Sequence, residues 1–197
     1  MLEDRTVASV HALSRRPLDV AHPRLQVHIV DVARLPALPP ASEAYLALGT
    51  TIKVAGSQAA FRAVDFEANL AVARAAAAAG VRRVGLVSAA MASAKSSTFY
   101  NRVKGELEDA LKAMDFTALV IAQPSLLLDY RDGLNQPPRL GERMAIPVAK
   151  LVAPLLPGAY QPVHARAVAR ALVKTVPTAE GTVVLPSDVL ARIGDAP

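Results

Sequence analysis

The sequence predicts an α/β fold in which a mainly parallel sheet is covered by helices on both faces. Two patterns carry this prediction. Short apolar segments bounded by glycine, proline or polar residues alternate along the chain with longer segments whose apolar residues have helical spacing. The 197 residues fit a single domain, residues 1–197. Ten of the fifteen prolines lie from Pro124 onward, so we expect residues 1–123 to form the core and residues 124–197 a small, irregular cap on the substrate side.

The apolar segments predict strands at residues 7–13, 25–30, 43–48, 84–88 and 117–122, with a further strand at 182–185. A helix is predicted over residues 57–79, because its apolar residues share one face and Gly80 is a typical helix stop. Further helices are predicted at residues 100–114, 143–151 and 164–175. The second helix carries Glu108 and Lys112 as an i,i+4 ion pair, which we expect on its exposed side.

Polar residues and glycines follow several of the predicted strands. Because parallel strands end at the same edge of a sheet, these residues should gather on one rim, where α/β folds bind their ligands. The residues are Arg15, Arg16, Asp31, Gly49, Thr50, Thr51, Ser88, Gln123, Pro124 and Ser125.

Tyr100 and Lys104 are spaced for one face of the second helix, and both fall within its apolar stripe. A lysine turned inward needs an anion or hydrogen-bond partners. A cation held beside a phenol favours the phenolate, so Tyr100 could exchange protons near neutral pH, with Ser88 donating a hydrogen bond to a substrate oxygen. The alternative is structural: Tyr100 packs, Ser88 ends a strand and Lys104 extends its ammonium group to solvent.

Composition excludes several classes of function. The chain has no cysteine, and its four histidines are dispersed, so neither a thiolate site nor a zinc site is expected. The net charge of +5 comes from scattered arginines and aromatic residues make up only 4%, which argues against nucleic acid as a partner. No apolar run is long enough for a membrane span and no secretory signal is visible, so we predict no membrane association and a cytoplasmic location.

The run from Leu48 to Glu108, which contains LVSAAMASAKSSTFYNRVKGELE, resembles the middle of the atypical short-chain dehydrogenase/reductases, in the branch of oxidoreductases similar to the Tat-interacting protein. The segments SRRPL and IAQPSLLLDYR resemble the same branch. The resemblance implies a doubly wound, Rossmann-like sheet. It also implies an NAD(P)H-dependent oxidoreductase that transfers a hydride to or from a small carbonyl or alcohol substrate. The sequence leaves monomer and homodimer open, since an alanine-rich exposed helix face could serve a dimer.

By position, the resemblance implies that Ser88, Tyr100 and Lys104 are catalytic. Arg15 and Arg16 would face an adenosine 2′-phosphate, which favours NADP(H) over NAD(H). Asp31 would lie near the adenine, and the remaining residues of the rim would line the rest of the cofactor. The sequence departs from the family at Ala89, where a second serine is common, and at Gln123, where an arginine is common.

The family begins with a strand and a glycine-rich turn that hold the pyrophosphate, and neither is found in this sequence. We therefore expect a Rossmann-like sheet that lacks its first strand and has two unpaired interior edges, and we hypothesise that Met1 is an internal start in a longer reading frame. Two other functions stay open. One is a non-catalytic NADP(H)-sensing or protein-interaction module, favoured by the absent turn, and the other, a nucleic-acid binder, rests on charge alone.

Overall fold

A computed structural model describes residues 1–128 and 157–196 of the chain. Its strands are β1 (Val10–Ser14), β2 (Leu25–Ile29), β3 (Glu43–Leu46), β4 (Arg83–Val87), β5 (Ala118–Gln123) and β6 (Gly181–Pro186). The helices are α1 (Ile52–Ala55), α2 (Gln58–Arg62), α3 (Asn69–Ala78), α4 (Phe99–Lys112), α5 (Ala165–Thr175) and α6 (Ser187–Asp195). A π-helical segment, Ala63–Ala68, and two short 3-10 helices, Val32–Arg34 and Gly158–Tyr160, complete the described elements.

The strands form two separate sheets. β1 and β2 pair in parallel as a two-stranded sheet, and β3, β4, β5 and β6 form a four-stranded sheet in that order, with every neighbouring pair parallel. Within the described residues no strand joins β1 to β3. This agrees with the expected pair of unpaired edges, and a cleft of about 1120 Å³ lies between the two strands. The mixed α/β class and the parallel sheet predicted from the sequence are confirmed.

Helices cover both faces of the four-stranded sheet. Side chains alternate along β5, so successive residues of this strand contact the two layers in turn. Ala118, Val120 and Ala122 pack on one face against α5 and α6. Leu119 and Ile121 point to the opposite face, where they meet apolar residues of α3 and α4. All five residues are buried. The result is the double covering that the continuous apolar strand predicted.

The predicted helix over residues 57–79 is observed as one continuous helical segment with an irregular middle. α2 leads into a π-helical segment, Ala63–Ala68, which leads into α3. The Ser57 side chain caps its start by accepting the backbone N–H of Ala60 at 3.1 Å. A π-helical turn is wider than an α-helical turn and frequently occurs at functional sites. This segment therefore positions side chains that a regular helix would place elsewhere.

Sequence patterns missed four helical elements and misplaced some strand ends. The short helix α1, the final helix α6 and the two 3-10 helices, Val32–Arg34 and Gly158–Tyr160, were not predicted. β1 begins three residues later than predicted, at Val10, whereas β4 and β5 lie within one residue of their predicted positions at each end. The helix predicted at 143–151 lies outside the described residues.

Candidate active site at the ends of β3, β4 and β5

α4 lays its polar residues over the carboxyl ends of the central strands. Its inward face buries Val103, Leu107 and Leu111 against the sheet. Lys104 and Glu108 are buried on the same side although both are charged. Residues at i and i+4 share a helix face, so the sequence Tyr, Lys, Glu at four-residue steps forms one polar row. The helix therefore presents the predicted Tyr100 and Lys104 pair to the predicted rim.

Lys104 is buried against a carboxylate. Its Nζ lies 2.7 Å from Oδ1 of Asp65, and the two side chains are only 6% and 1% exposed. The sequence had predicted that an inward lysine would need an anion, and the structure supplies that anion from the protein itself. Asp65 was not among the predicted site residues.

Asp65 is held on both of its oxygens. Its Oδ2 accepts the backbone N–H of Thr50 at 2.8 Å, which ties the π-helical segment to the loop after β3. Asn69, one helical turn further on, donates its side-chain N–H to the carbonyl oxygens of Leu48, Val64 and Asp65. These bonds fix the carboxylate in place, so the position of Lys104 is set by a rigid partner.

A sequence signal for Asp65 was present. Phe61, Asp65, Asn69 and Ala73 follow one another at four-residue steps and are all buried. Two polar residues therefore interrupt the apolar face of a helix, and buried polar groups require partners. A search for polar residues at apolar-face positions would have selected both of them.

Tyr100 lies at the surface end of this row. It is 38% exposed, and its ring packs on Phe61 with 5.6 Å between the ring centroids. Burial raises the pKa of the Tyr100 phenol, and the negative charge of Asp65 raises it further. The sequence had predicted a shift toward the phenolate, so the predicted direction of the pKa shift is wrong. The main reason is that burial disfavours the charged phenolate, and the negative charge of Asp65 disfavours it further.

Ser88 and Gln123 meet a second buried carboxylate. The Ser88 hydroxyl donates to Oε1 of Glu108 at 2.6 Å, and the Gln123 side-chain N–H donates to both oxygens of Glu108, at 2.9 Å and 3.1 Å. The predicted exposed position of Glu108 is therefore wrong, although its pairing with Lys112 is present, with 3.7 Å between Lys112 Nζ and Glu108 Oε2. The prediction of an exposed Glu108 failed because Glu–Lys pairs at i,i+4 spacing are most common on solvent-facing helix surfaces.

Pro124 and Ser125 connect the end of β5 to the C-terminal elements. The Pro124 carbonyl accepts the N–H of Ala90 at 2.9 Å. The backbone N–H of Ser125 donates to the Ser187 hydroxyl at 2.8 Å, and its own hydroxyl donates to the Gln161 carbonyl at 2.6 Å. These bonds make the end of β5 a junction between the rim and residues of the C-terminal part.

The remaining rim residues lie at the ends of β1, β2 and β3. Arg15 and Arg16 are exposed and line the cleft between β1 and β3, and neither guanidinium pairs with a carboxylate of a described residue. Asp31 is exposed and caps the following 3-10 turn by accepting the N–H of Ala33 at 3.0 Å. Thr51 caps α1 by accepting the N–H of Val54 at 3.2 Å. The cleft reaches Leu48, just before Gly49, but Tyr100 and Lys104 do not line it.

The residues present fit the two ends of a nicotinamide dinucleotide better than its middle. Two exposed arginines suit a phosphate at one end, and a partly exposed phenol suits a reacting oxygen at the other. A pyrophosphate is usually held by free backbone N–H groups at a helix start. In the loop after β3 the Thr50 N–H is already donated to Asp65, and α1 has only four residues.

α4 also makes a close backbone contact. A Cβ atom at Gly105, the neighbour of Lys104, would overlap the backbone of Ser93 and Ala94 in the loop after β4. The Ser93 N–H donates to the Asn101 carbonyl at 3.0 Å. The loop therefore lies directly on the first turns of α4.

No cluster of three histidine or acidic side chains suited to a metal ion occurs in residues 1–128 and 157–196. Among the helices of those same ranges, none is long and apolar enough to cross a bilayer.

Comparison with known proteins gives two kinds of similarity, relatives by sequence and solved structures with the same fold. No family model matches the chain. It is 38% identical over 143 residues to "Protein FMP52, mitochondrial" of Lodderomyces elongisporus, an alignment that covers 70% of this chain and 57% of the relative. It is 31% identical over 142 residues to "Protein fmp52, mitochondrial" of Emericella nidulans, covering 67% of this chain and 61% of the relative. The chain thus spans between about a third and three fifths of the curated relatives it matches.

These names correct one prediction. The sequence had indicated a cytoplasmic location because no targeting segment was visible, whereas the relatives are named as mitochondrial proteins. The prediction relied on the presence or absence of one short leader segment. The similarity to these mitochondrial proteins covers 70% of the chain and is therefore the broader evidence.

Solved structures define the fold. The structure superposes on "MoeE5 in complex with UDP-glucose and NAD" with a TM-score of 0.65 at 18% identity, covering 90% of this chain and 67% of that one. It superposes on "Structure of RMD from Pseudomonas aeruginosa complexed with NADPH" with a TM-score of 0.53 at 14% identity, covering 86% and 72%. Both of those structures hold a nicotinamide dinucleotide. The chain has the Rossmann-like α/β fold of these NAD(P)-binding proteins.

Proposed function

We propose that this chain is an NAD(P)H-dependent oxidoreductase of the atypical short-chain dehydrogenase/reductase type that acts on a small carbonyl or alcohol substrate. The observation that carries the proposal is the placement of Tyr100 and Lys104 by α4 at the carboxyl ends of parallel strands, where Rossmann-like folds bind ligands. The names of the relatives extend the proposal to a mitochondrial location.

Tyr100 is the group that moves a proton in this proposal. Its phenol is partly exposed. A phenol is already protonated at neutral pH, and the raised pKa of Tyr100 extends the protonated form further into the alkaline range. A neutral phenol donates a proton to a developing alkoxide, so the residue suits the reduction of a carbonyl. The bound dinucleotide would supply the hydride. Lys104 would orient ligand hydroxyls from its place beside Asp65.

Ser88 has a narrower role than the sequence suggested. Its hydroxyl proton is donated to Glu108, so its oxygen faces a ligand only as an acceptor. The proposal therefore assigns Ser88 to the shape of the pocket wall together with Pro124 and Ser125, and assigns proton donation to Tyr100 alone.

Arg15 and Arg16 carry the choice of cofactor in this proposal. A guanidinium binds a phosphate through two parallel hydrogen bonds, and these two arginines stand exposed at the end of β1 without a described carboxylate partner. We infer a preference for NADP(H), whose 2′-phosphate they would bind, over NAD(H).

A second candidate is a non-catalytic module that senses NADP(H) or binds a protein. The observation that favours it is the state of the polar groups at the rim. Lys104 is paired with Asp65, and the Ser88 proton is donated to Glu108. A site whose polar groups satisfy one another can keep the fold without turnover.

The test begins with fluorescence titration of the chain by NADPH and by NADH. NADPH is expected to bind at least tenfold more tightly, and the double variant Arg15→Ala and Arg16→Ala should lose that preference. Arg82→Ala is the matched control, because Arg82 is exposed just before β4, at the opposite edge of the sheet from the rim. Failure of both dinucleotides to bind would overturn the proposal.

Replacement of Tyr100 by Phe separates the two candidates. If Tyr100 donates the proton, turnover of a carbonyl panel with NADPH should fall by at least a hundredfold while NADPH affinity stays within about twofold. Tyr160→Phe is the control, since Tyr160 is an exposed tyrosine outside the site. NADPH binding without turnover in the unaltered chain would favour the sensing module.

A further inference from the structure

Asp65 is a buried charged residue that the proposed reaction does not use. It lies 2.7 Å from the Lys104 ammonium group, and both side chains are almost fully removed from solvent. Charges interact more strongly where water is excluded. The field of Lys104 at the neighbouring phenol is therefore opposed at close range by the field of Asp65.

The carboxylate cannot easily move away from the lysine. Thr50 donates its N–H to the second oxygen of Asp65, and the backbone around Asp65 is the π-helical segment. The Phe61 ring, from the preceding helix α2, packs against the Tyr100 ring at 5.6 Å. The same helical segment therefore supplies both the packing surface of the phenol and the counterion of the lysine.

The other charged groups around the phenol are paired or directed elsewhere. Arg62, on the facing helix, forms an ion pair with Glu106 of α4. Arg102, on α4 itself, donates to the carbonyl oxygens of Ser96 and Ser97 at 3.0 Å and 3.3 Å. Among the described residues, Asp65 is the charged group that raises the pKa of Tyr100, after the effect of burial, and Asp65 is itself paired with Lys104.

We propose that Asp65 is a positioning residue that holds Lys104 and opposes its charge, so that Tyr100 remains a neutral phenol into the alkaline range and can still donate a proton to a carbonyl oxygen there. This inference deepens the proposed function and rests on it for the chemistry, although the electrostatic effect is a property of the chain alone. The raised pKa of Tyr100, caused first by burial and then by Asp65, agrees with it.

The test is an alkaline titration of the tyrosines by ultraviolet absorbance without any ligand. The signal of Tyr100 is isolated by subtracting the titration of a Tyr100→Phe variant in the same background. In Asp65→Asn the uncancelled Lys104 charge should lower the pKa of Tyr100 by about one pH unit or more. Glu67→Gln is the matched control, because Glu67 is an exposed carboxylate in the same π-helical segment.

A double variant keeps the test decisive if Asp65→Asn folds poorly. Asp65→Asn with Lys104→Met removes both charges and leaves no unpaired ion in the interior. If the pair cancels at the phenol, this variant should titrate within a few tenths of a pH unit of the unaltered chain. An unshifted Tyr100 in Asp65→Asn, or an equal shift in the single and double variants, would overturn the inference.

Activity provides an independent second readout. In the unaltered chain the rate of carbonyl reduction should stay level into the alkaline range, and in Asp65→Asn its alkaline limb should move to lower pH by the same interval as the absorbance titration. A shifted absorbance titration in a chain that binds no dinucleotide would support the role of Asp65 and overturn the proposed function.

Discussion

The two sheets of this molecule differ sharply in how they are stabilised. In the four-stranded sheet, β4 and β5 lie between neighbours on both sides, and most of their residues are fully buried. In the two-stranded sheet every residue of β1 is only half-buried, and Ile29 of β2 is exposed. The reacting end of the proposed site is built on the first sheet and the proposed phosphate end on the second. The proposed function therefore places proton transfer on the more buried sheet and phosphate binding on the less buried sheet.

The largest expected effect comes from the buried ion pair beside the four-stranded sheet. Replacing Lys104 by Met should lower the free energy of unfolding by about 3 kcal/mol, because Asp65 would be left buried without its counterion. Lys112→Met is the control, since Lys112 is 39% exposed and its pair with the exposed Asp109 is worth less than about 1 kcal/mol. Its other partner, Glu108, lies 3.7 Å away and keeps its hydrogen bonds from Ser88 and Gln123 when the lysine is removed. Urea denaturation measures both variants. Equal losses would contradict the view that the interior pair dominates.

The same substitution can be made in both sheets, because each contains an isoleucine. Ile121 in β5 is 0% exposed, whereas Ile29 in β2 is 57% exposed. Ile121→Ala should lower the free energy of unfolding by about 2 to 4 kcal/mol, because it leaves a cavity in the core. Ile29→Ala should change it by less than about 0.5 kcal/mol. A loss at Ile29 as large as that at Ile121 would mean that the two-stranded sheet contributes fully to the core.

Amide hydrogen exchange should show a difference between the two sheets in the free energy of local opening. This is the smallest of the expected effects but the most direct comparison. Backbone N–H groups of β4 and β5 should exchange only through global unfolding, whereas those of β1 and β2 should exchange through local opening at lower free energy. The reason is that, among the strands of residues 1–128 and 157–196, β1 has a neighbour on one side only. Mass spectrometry of peptic fragments gives the measurement. Matched protection in β1 and β5 would refute the division.

Much of the central sheet could be predicted because burial on both faces produces continuous apolar runs. The segments that became β4 and β5 are such runs, and glycine or polar residues mark their ends. β1 was harder to place, because a half-buried strand has a weaker apolar pattern. α6 was missed although Leu190, Ile193 and Gly194 are spaced for one helix face, since the high proline content of the whole segment from Pro124 onward favoured an irregular interpretation.

The candidate site was only partly predictable for a different reason. Tyr100 and Lys104 could be found because their spacing on one helix is visible in the sequence. The partners Asp65 and Glu108 depend on contacts with other elements, Thr50 for one and Ser88 and Gln123 for the other. Helical periodicity gives the face of a residue and not the group that will meet it. The sign of the Tyr100 pKa shift depends on those partners, so it could not be predicted from the helix alone.

The absence of a side chain at Gly105 has a mechanical consequence for the whole helix. Because the backbone of Ser93 and Ala94 occupies the space that a Cβ atom would need, the loop after β4 and the helix that follows it are pressed together as one body. Rotation of α4 about its own axis would drive neighbouring side chains into that loop. The backbone positions that carry the tyrosine, lysine and glutamate of α4 are therefore tied to that loop, and a rotation of the helix as a whole would require the loop to move as well.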